Sequence, residues 1–331
     1  MKRINTIDAH VAGEAVRLIV GGGPSVPGRS MTEKLAWLRK HGDELRRLIM
    51  LEPRGHAGMH GAMLTEPVSS TAHAGLLFMH AAGFPALSGE GVIGAVTIAL
   101  EQNLIAGIED ELRLDTPAGL IRAHPRTIQG ATAAVGAKVA SVAVTGVPSF
   151  VHSAGLGVEI GTREVTIDVA FGGEFYAIAD GEAVGLPIEM ANASQLIHMG
   201  LEIKEAVESS LDVAHPFDGR QKGIHGVIFT GAPRMVADLR SATVLDAQVL
   251  RRSPGVTGTA ALLAVLDAMG LLTGDHPFTH EGVLGTMLQG RIMHRRSEGE
   301  LAMVTPLIEG SASVTGFHEF CTDDCRLPTA D

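Results

Sequence analysis

Residues 88–101 read SGEGVIGAVTIALE, and residues 253–266 read SPGVTGTAALLAVL. Each segment begins with small residues and glycines and continues as an apolar run long enough for a helix. The first turn of such a helix presents backbone amides that can bind an anion. Two of these helix starts facing each other would hold a small carboxylate. The similarity is too short to establish a duplication, but it indicates that one kind of helix occurs twice in the chain.

Short β-branched runs and a few helices surround these two segments. Ser30 and Glu33 have the spacing of a capping box, which starts a helix, and Pro53 ends the next helix. Helices are predicted at residues 30–40, 43–51, 91–103, 194–210 and 257–270. Strands are predicted at residues 15–20, 138–147, 164–171, 226–231 and 241–250. Many short strands, punctuated by 41 glycines, predict an α+β fold with curved sheets.

Composition and charge exclude several classes of protein. The chain has 331 residues, 45% of them hydrophobic, so it can bury a large core in two domains or one two-lobed unit. With 26 Lys and Arg against 37 Asp and Glu, the net charge is −11, which leaves no basic stripe for a nucleic-acid backbone. No apolar run approaches the roughly 20 residues of a membrane span. The first residues, MKRINTIDAHVAGEAV, lack the apolar region of a secretory signal. We therefore expect a soluble, cytoplasmic protein that binds neither nucleic acid nor membrane.

Gly89, Gly91 and Gly94 form a literal GxGxxG pattern, which binds dinucleotides when it follows a buried strand. Pro85 disfavours a central strand just before this loop, whereas the acidic residues 109–110 lie near the spacing of a ribose ligand. A nucleotide-dependent dehydrogenase therefore remains an alternative. A helix start that binds a carboxylate explains the same glycines.

Two further patterns are weak indications of a metal site. His56 and His60 have the spacing of a helical zinc site, but glycines surround them and no Glu follows His56. We expect loop histidines with hydrogen-bonding or packing roles. Cys321 and Cys325 are the two cysteines of the chain and have no second pair, so we expect ordinary reduced thiols and no metal. The segment EPRGH at residues 52–56 fits a charged turn or a helix-ending ion pair, and the pattern does not distinguish them.

Many blocks, in order along nearly the whole chain, resemble the proline racemase family. They include IDAHVAGEAVRLIVGG from residue 7, EPRGHAGMHGAML from residue 52, PALSGEGVIGAV from residue 85, GGEFYAIAD from residue 172 and RRSPGVTGT from residue 251. The family comprises proline racemases, 4-hydroxyproline 2-epimerases and trans-3-hydroxy-L-proline dehydratases. The resemblance implies a diaminopimelate-epimerase-like fold of two pseudo-symmetric lobes, each a curved β-sheet around a central helix. It also implies a proline-like substrate between the lobes, without metal or organic cofactor.

On this resemblance we place an N-terminal lobe at residues 1–122 plus 310–331, with the Ser88 loop. The C-terminal lobe is placed at residues 123–309, with the Gly255 loop. A homodimer is compatible with this arrangement.

The two loops that carry catalysis in this family differ here. Racemases of the family have one cysteine in an MCGHG-type loop and another in a DRSPCGTGT-type loop, and the two act on opposite faces of the substrate. The matching residues are Ser88 and Gly255, while Glu90 replaces the loop histidine and Arg251 the aspartate before RSP. Inversion needs a proton carrier on each face, and Gly255 provides none. The dehydratases are similar to this chain in that their second cysteine is replaced.

The resemblance also implies substrate-binding roles in both loops. Gly89, Val256 and Thr257 match positions that surround the carboxylate with amides and a hydroxyl. For Glu90 and Arg251 our hypothesis is that they meet across the cleft, Glu90 holding the substrate ammonium and Arg251 the carboxylate or a leaving hydroxyl. The alternative is that Glu90 and Arg251 form a closed ion pair in a lobe that has lost its catalytic function.

Ser88 has two interpretations. A serine hydroxyl is a weak base that a neighbour must activate, and Glu90 is the nearest titratable candidate in the sequence. The position also suits a helix N-cap with no catalytic role. We expect Ser88 to be the base, because proton abstraction needs some group in this loop.

These residues predict a lyase, the cofactor-independent dehydration of trans-3-hydroxy-L-proline to Δ1-pyrroline-2-carboxylate. The alternative within the family is an isomerase, a 4-hydroxyproline 2-epimerase or proline racemase, with water or an unrecognised side chain as the second proton carrier. The alternative outside enzymology is a non-catalytic imino-acid-binding protein.

Overall fold

The chain folds into two compact units in the computed structural model, which describes residues 2–105, 110–132, 136–245, 249–272 and 276–322. The units are Met1–Val144 with Gly310–Asp331, and Thr145–Glu309. The boundary expected at residues 122–123 falls inside a strand, Gly119–Thr132, which pairs with a neighbouring strand on each side. A division there would break a continuous sheet, so the observed boundary lies further along the chain.

The first unit is built on one mixed β-sheet. Its strands are β1 (Lys2–Val11), β2 (Glu14–Gly21), β3 (His60–Thr65), β4 (Ala74–His80), β5 (Leu112–Thr116), β6 (Gly119–Thr132), β7 (Ala137–Thr145) and β19 (Ala312–Thr322). They are paired in the order β19-β1-β2-β3-β4-β5-β6-β7. The β2–β3 and β4–β5 pairs are parallel, and the other pairs are antiparallel.

The sheet of the first unit surrounds a buried helix. The helices of this unit are α1 (Met31–His41), α2 (Asp43–Met50) and α3 (Gly89–Glu101). All residues of α3 are buried, as expected for a helix that is apolar on all sides, and it contacts β1, β2, β3, β6 and β19. The helices α1 and α2 form a separate apolar core, in which Leu38 and Met50 join Met63 and Met79 of the strands.

The second unit repeats this design. Its main strands are β8 (Phe150–Ile160), β9 (Arg163–Phe171), β10 (Phe175–Asp180), β13 (Gly226–Gly231), β14 (Leu239–Leu245), β16 (Phe278–Glu281), β17 (Met287–Glu298) and β18 (Leu301–Gly310). A hairpin and a short edge strand add β11 (Ala214–His215), β12 (Asp218–Lys222) and β15 (Val249–Leu250). The helices are α4 (Gly181–Val184), α5 (Ala193–Ser210) and α6 (Val256–Ala268). The sheet order is β8-β9-β10-β13-β14-β16-β17-β18.

Strand direction follows the same pattern in the two units. In the second unit β10–β13 and β14–β16 are the parallel pairs, at the places that β2–β3 and β4–β5 hold in the first. In each unit the central helix, α3 or α6, forms the crossover of the second parallel pair. The repeated sequence segments therefore occupy equivalent positions. The expected α+β fold, with two similar lobes and a central helix in each, is confirmed.

The predicted helix starts and lengths agree closely with the structure. Ser30 caps α1, because its Oγ accepts a hydrogen bond from Glu33 N–H at 3.1 Å. The return contact of the capping box goes to Arg29, whose N–H donates to Glu33 Oε2 at 2.8 Å. Within the described ranges, no helix combines the length and apolar character needed to cross a bilayer.

Candidate active site

Ser88 is the N-cap residue of α3 and holds two polar contacts. Its Oγ accepts a hydrogen bond from Gly91 N–H at 3.0 Å, and it lies 2.9 Å from His60 Nδ1. The residue is only 7% exposed, so both contacts are largely shielded from water. The N-cap prediction is confirmed, and it leaves the hydroxyl chemically available, because a serine Oγ can accept one hydrogen bond and donate another.

His60 begins β3 and lies opposite His80 at the end of β4. Burial, with smaller contributions from His60 and the Arg46 guanidinium, lowers the pKa of His80 to about 4. His80 is therefore neutral near pH 7, and its Nδ1 accepts a hydrogen bond from Ala82 N–H at 3.1 Å. His60 thus has a hydrogen-bonding role, as predicted, but it is the first residue of a strand and not part of a loop.

Gly89 and Glu90 form the start of α3 beside Ser88. Glu90 is 2% exposed, which is unusual for a carboxylate and requires compensating interactions. An acidic side chain in the first turn of a helix is favourably placed with respect to the helix dipole. The predicted residues of the first loop therefore share one buried helix start.

Gly255 is the N-cap residue of α6 and corresponds to Ser88 in the second unit. Its φ of +85° belongs to a region that side chains rarely adopt. A Cβ built at this position would lie 3.6 Å from Arg251 Nε. Arg251 is 4% exposed, so its buried guanidinium borders the space in which a side chain of the second loop would stand.

Val256 and Thr257 form the first turn of α6, where a neighbouring turn fixes their position. The Thr257 hydroxyl lies 2.7 Å from the Tyr176 hydroxyl. A side chain at Gly172 would collide with the carbonyl oxygen of Thr257, so the close approach of this turn requires glycine. The Gly172–Tyr176 segment thus holds the helix start in place.

A buried chain of hydrogen bonds holds the second loop at the N-terminus of α6. Thr259 Oγ1 donates to the Gly255 carbonyl at 2.7 Å and lies 2.8 Å from His280 Nδ1. His280 Nε2 lies 2.7 Å from Ser241 Oγ. Burial lowers the pKa of His280 to about 3, so the ring is neutral. Because Thr259 already uses its hydrogen on Gly255, His280 must donate from Nδ1 and accept from Ser241 at Nε2.

The other sequence patterns do not assemble into a metal site in the described part of the chain. There, no group of three or more His, Cys, Asp or Glu is arranged to hold a metal ion. Cys321 is an exposed free thiol on β19, while Cys325 and Glu109 lie outside the described residues. The EPRGH segment is a turn in which Arg54 Nε donates to the Leu48 carbonyl at 2.8 Å, and this contact caps the end of α2.

The sequence did not predict the contacts that three residues make with the two loops: His60 with Ser88, Tyr176 with Thr257, and His280 with Thr259. His60 was noted for its spacing from His56, which pointed to metals. The resemblance included Tyr176 only as part of GGEFYAIAD. No local signal indicated His280, whose contacts come from α6 and β14.

Comparison with known proteins agrees with this architecture. The sequence matches the family described as "Proline racemase" over residues 6–327. It is 38% identical to the trans-3-hydroxy-L-proline dehydratase of Bacillus cereus, over 97% of this chain and 95% of that protein. It is 35% identical to a proline racemase of Clostridioides difficile, over 98% of this chain and 96% of that protein. A crystal structure of a hydroxyproline epimerase from Agrobacterium vitis, with bound trans-4-hydroxy-L-proline, has a TM-score of 0.85 and 30% identity, covering 98% of this chain and 94% of that one.

The chain has two similar units, each with a central helix that begins at a glycine-containing loop. Together with these matches, this defines the class: the chain belongs to the proline racemase family. Relatives in this family are enzymes, some named as dehydratases, which are lyases, and others as racemases or epimerases, which are isomerases.

Proposed function

We propose that the protein dehydrates trans-3-hydroxy-L-proline to Δ1-pyrroline-2-carboxylate, with Ser88 as the base that removes the α-proton. The observation that carries the proposal is the difference between two equivalent helix starts. A buried hydroxyl precedes α3, whereas α6 begins after Gly255, which has no side chain. Inversion needs a proton carrier on both faces of the substrate, and elimination needs one base.

The stereochemistry of the substrate makes chemistry on one face sufficient. In trans-3-hydroxy-L-proline the hydroxyl and the carboxylate lie on opposite faces of the ring, so the hydroxyl shares a face with the α-hydrogen. When a base removes that hydrogen, the C–H electrons form the ring double bond and the neighbouring C–O bond breaks on the same side. The resulting enamine tautomerises to the imine. No proton has to come from the face at Gly255.

The two helix starts would stabilise the charge that builds on the substrate. Amides at Gly89 and Val256 are suited to the carboxylate, which gains negative charge as the α-proton leaves. Thr257 would add its hydroxyl, which Tyr176 orients at 2.7 Å.

Glu90 and Arg251 would complete the recognition of an imino acid. Both are buried, and their charges are opposite to those of the ring ammonium and the carboxylate, respectively. Calorimetric binding of L-proline, which carries both the ring ammonium and the carboxylate, to Glu90→Gln and Arg251→Ala tests these roles. Weaker binding in both variants is expected, and unchanged binding in both would remove the two residues from the site.

Epimerisation of 4-hydroxyproline is the second candidate, favoured by the similarity to the Agrobacterium vitis enzyme with bound trans-4-hydroxy-L-proline. It would require a proton carrier other than the residue at position 255. Proton spectra of the protein with trans-3-hydroxy-L-proline, trans-4-hydroxy-L-proline and L-proline in deuterated water distinguish the candidates. Pyrroline signals from the first substrate are expected. A new α-deuterated diastereomer of the second would indicate the epimerase, and no change in any substrate would indicate a binding protein.

Two matched variants separate catalysis by Ser88 from helix capping. Ser88→Ala removes the proposed base and a helix cap, whereas Ser30→Ala removes only a cap, the one that accepts from Glu33 N–H at 3.1 Å. Each change is expected to destabilise the fold by about 1 kcal/mol. Turnover should be lost in the first variant and retained in the second; equal turnover in both would contradict the proposal.

A further inference from the structure

The contacts of Ser88 Oγ have a defined direction. Gly91 N–H can only donate, so it occupies one lone pair of Oγ. The hydroxyl hydrogen is then available to His60 Nδ1 at 2.9 Å, when this nitrogen is the unprotonated one of a neutral imidazole. A serine between a fixed donor and a basic ring nitrogen is the arrangement by which an adjacent base activates a nucleophile or a proton carrier.

We propose that His60, acting through Ser88, takes up the α-proton of the substrate and returns it to the departing hydroxyl. This inference rests on the proposed function and names the group that makes a serine basic enough for it. The sequence pointed to Glu90 because it is two residues away. The observed contact joins Ser88 to a residue 28 positions earlier, on a neighbouring strand.

The proposed step balances in atoms and charge. Ser88 Oγ takes the α-proton while its own hydrogen passes to His60 Nδ1, which becomes an imidazolium. The electrons of the C–H bond form the double bond between the α- and β-carbons, and the bond from the β-carbon to the hydroxyl breaks. His60 returns its proton through Ser88, so the hydroxyl leaves as water and the imidazole is neutral again. One relay serves both transfers, because the α-hydrogen and the hydroxyl share a face of the ring.

Titratable and charged groups lie on the elements that neighbour His60. His80 faces it from β4, and Arg46 of α2 donates to the carbonyl of His80 at 3.2 Å. Glu90 lies in the first turn of α3, two residues after Ser88. The neighbour of His60 in β2 is Val16, which carries no charge.

The test is the pH dependence of turnover in His60→Gln. Glutamine can still accept a hydrogen bond from Ser88 but cannot take up its proton. In the unaltered enzyme we expect kcat for trans-3-hydroxy-L-proline to fall on the acid side as His60 becomes protonated. His60→Gln should lower kcat by about 10²–10⁴-fold, the range for loss of acid–base catalysis, leave KM nearly unchanged, and abolish the acid limb. His80→Gln is the matched control and should keep the rate and the acid limb, because His80 is already neutral in this range.

A second variant shows that a slow His60→Gln protein is still folded. Replacing Ser88 by Cys in the His60→Gln background supplies a thiol that ionises on its own at alkaline pH, so turnover should return there. An unchanged rate and acid limb in His60→Gln, with Ser88→Ala inactive, overturns the relay but leaves the proposed function standing. A Ser88→Ala protein as active as the unaltered one overturns both.

Discussion

Ser88 and Gly255 hold the same position, the N-cap of the central helix, in two units with the same strand order. One has a hydroxyl that lies 2.9 Å from a histidine nitrogen. The other has no side chain and a φ of +85°. The proposed chemistry, with a proton carrier on only one side of the substrate, rests on this difference.

The backbone at Gly255 should not tolerate a side chain without loss of stability. We expect Gly255→Ala to lower the free energy of unfolding by about 1–3 kcal/mol, the cost of a sparsely populated backbone region. Denaturant titration measures this change. Gly219→Ala is the control, because Gly219 is exposed and a Cβ there meets nothing within 4 Å. Equal midpoints for the two variants would contradict the structure at Gly255.

Loss of the Tyr176 hydroxyl should weaken substrate binding more than it slows the reaction. The hydroxyl lies 2.7 Å from that of Thr257. A hydrogen bond contributes about 1 kcal/mol, so we expect Tyr176→Phe to raise KM by roughly fivefold with kcat nearly unchanged. Steady-state KM values of Tyr176→Phe, Thr257→Val and the double variant, compared with the unaltered protein, complete a double-mutant cycle. Strictly additive effects would show that the two hydroxyls act independently.

Acid should destabilise the protein through His280. Burial lowers the pKa of His280 to about 3 from 6.5. Between these values the unfolded chain binds a proton that the folded chain does not, so the free energy of unfolding falls as the pH drops. His280→Gln should flatten this part of the curve of melting temperature against pH, whereas His198→Gln, a change of an exposed side chain on α5, should not. If melting temperature falls with acid as steeply in His280→Gln as in the unaltered protein, buried His280 is not the cause of the acid destabilisation.

Glu174 should have the opposite effect. Burial raises its pKa to about 7 from 4.5, so between these values the folded chain holds a proton that the unfolded chain has lost. Stability therefore falls as the pH rises from 4.5 towards 7. Glu174→Gln should remove this decline in melting experiments, and Glu164→Gln, an exposed change on β9, should leave it in place. A decline that persists in Glu174→Gln would assign it to another group.

Local signals in the sequence predicted the helices and their starts well. Ser30 and Ser88 are recognisable as caps because capping depends on residues three positions apart. The boundary between the units was placed too early, because nothing in the composition marks that β6 pairs on both of its sides. Contacts between elements distant in sequence have no local signal, so the approach of His60 on β3 to Ser88 at the start of α3 could be found only in the folded chain.

The identities of the loop residues depend on the family resemblance more than on pattern. A serine with glycines one and three positions after it, as in SGEG at residues 88–91, fits a nucleotide loop, a helix cap or a catalytic loop equally well. The collinear blocks around it assign the chain to the proline racemase family, which the comparisons confirm.

Proline offers the most direct test of a one-sided active site, since it has no hydroxyl to lose. L-proline and D-proline would be incubated separately with the protein in deuterated water and analysed by proton spectra and chiral chromatography. A single base removes the α-hydrogen of one enantiomer and returns deuterium to the same face. We therefore expect α-deuterated L-proline, no D-proline, and no exchange when D-proline is supplied. Conversion of L-proline to D-proline would contradict this account.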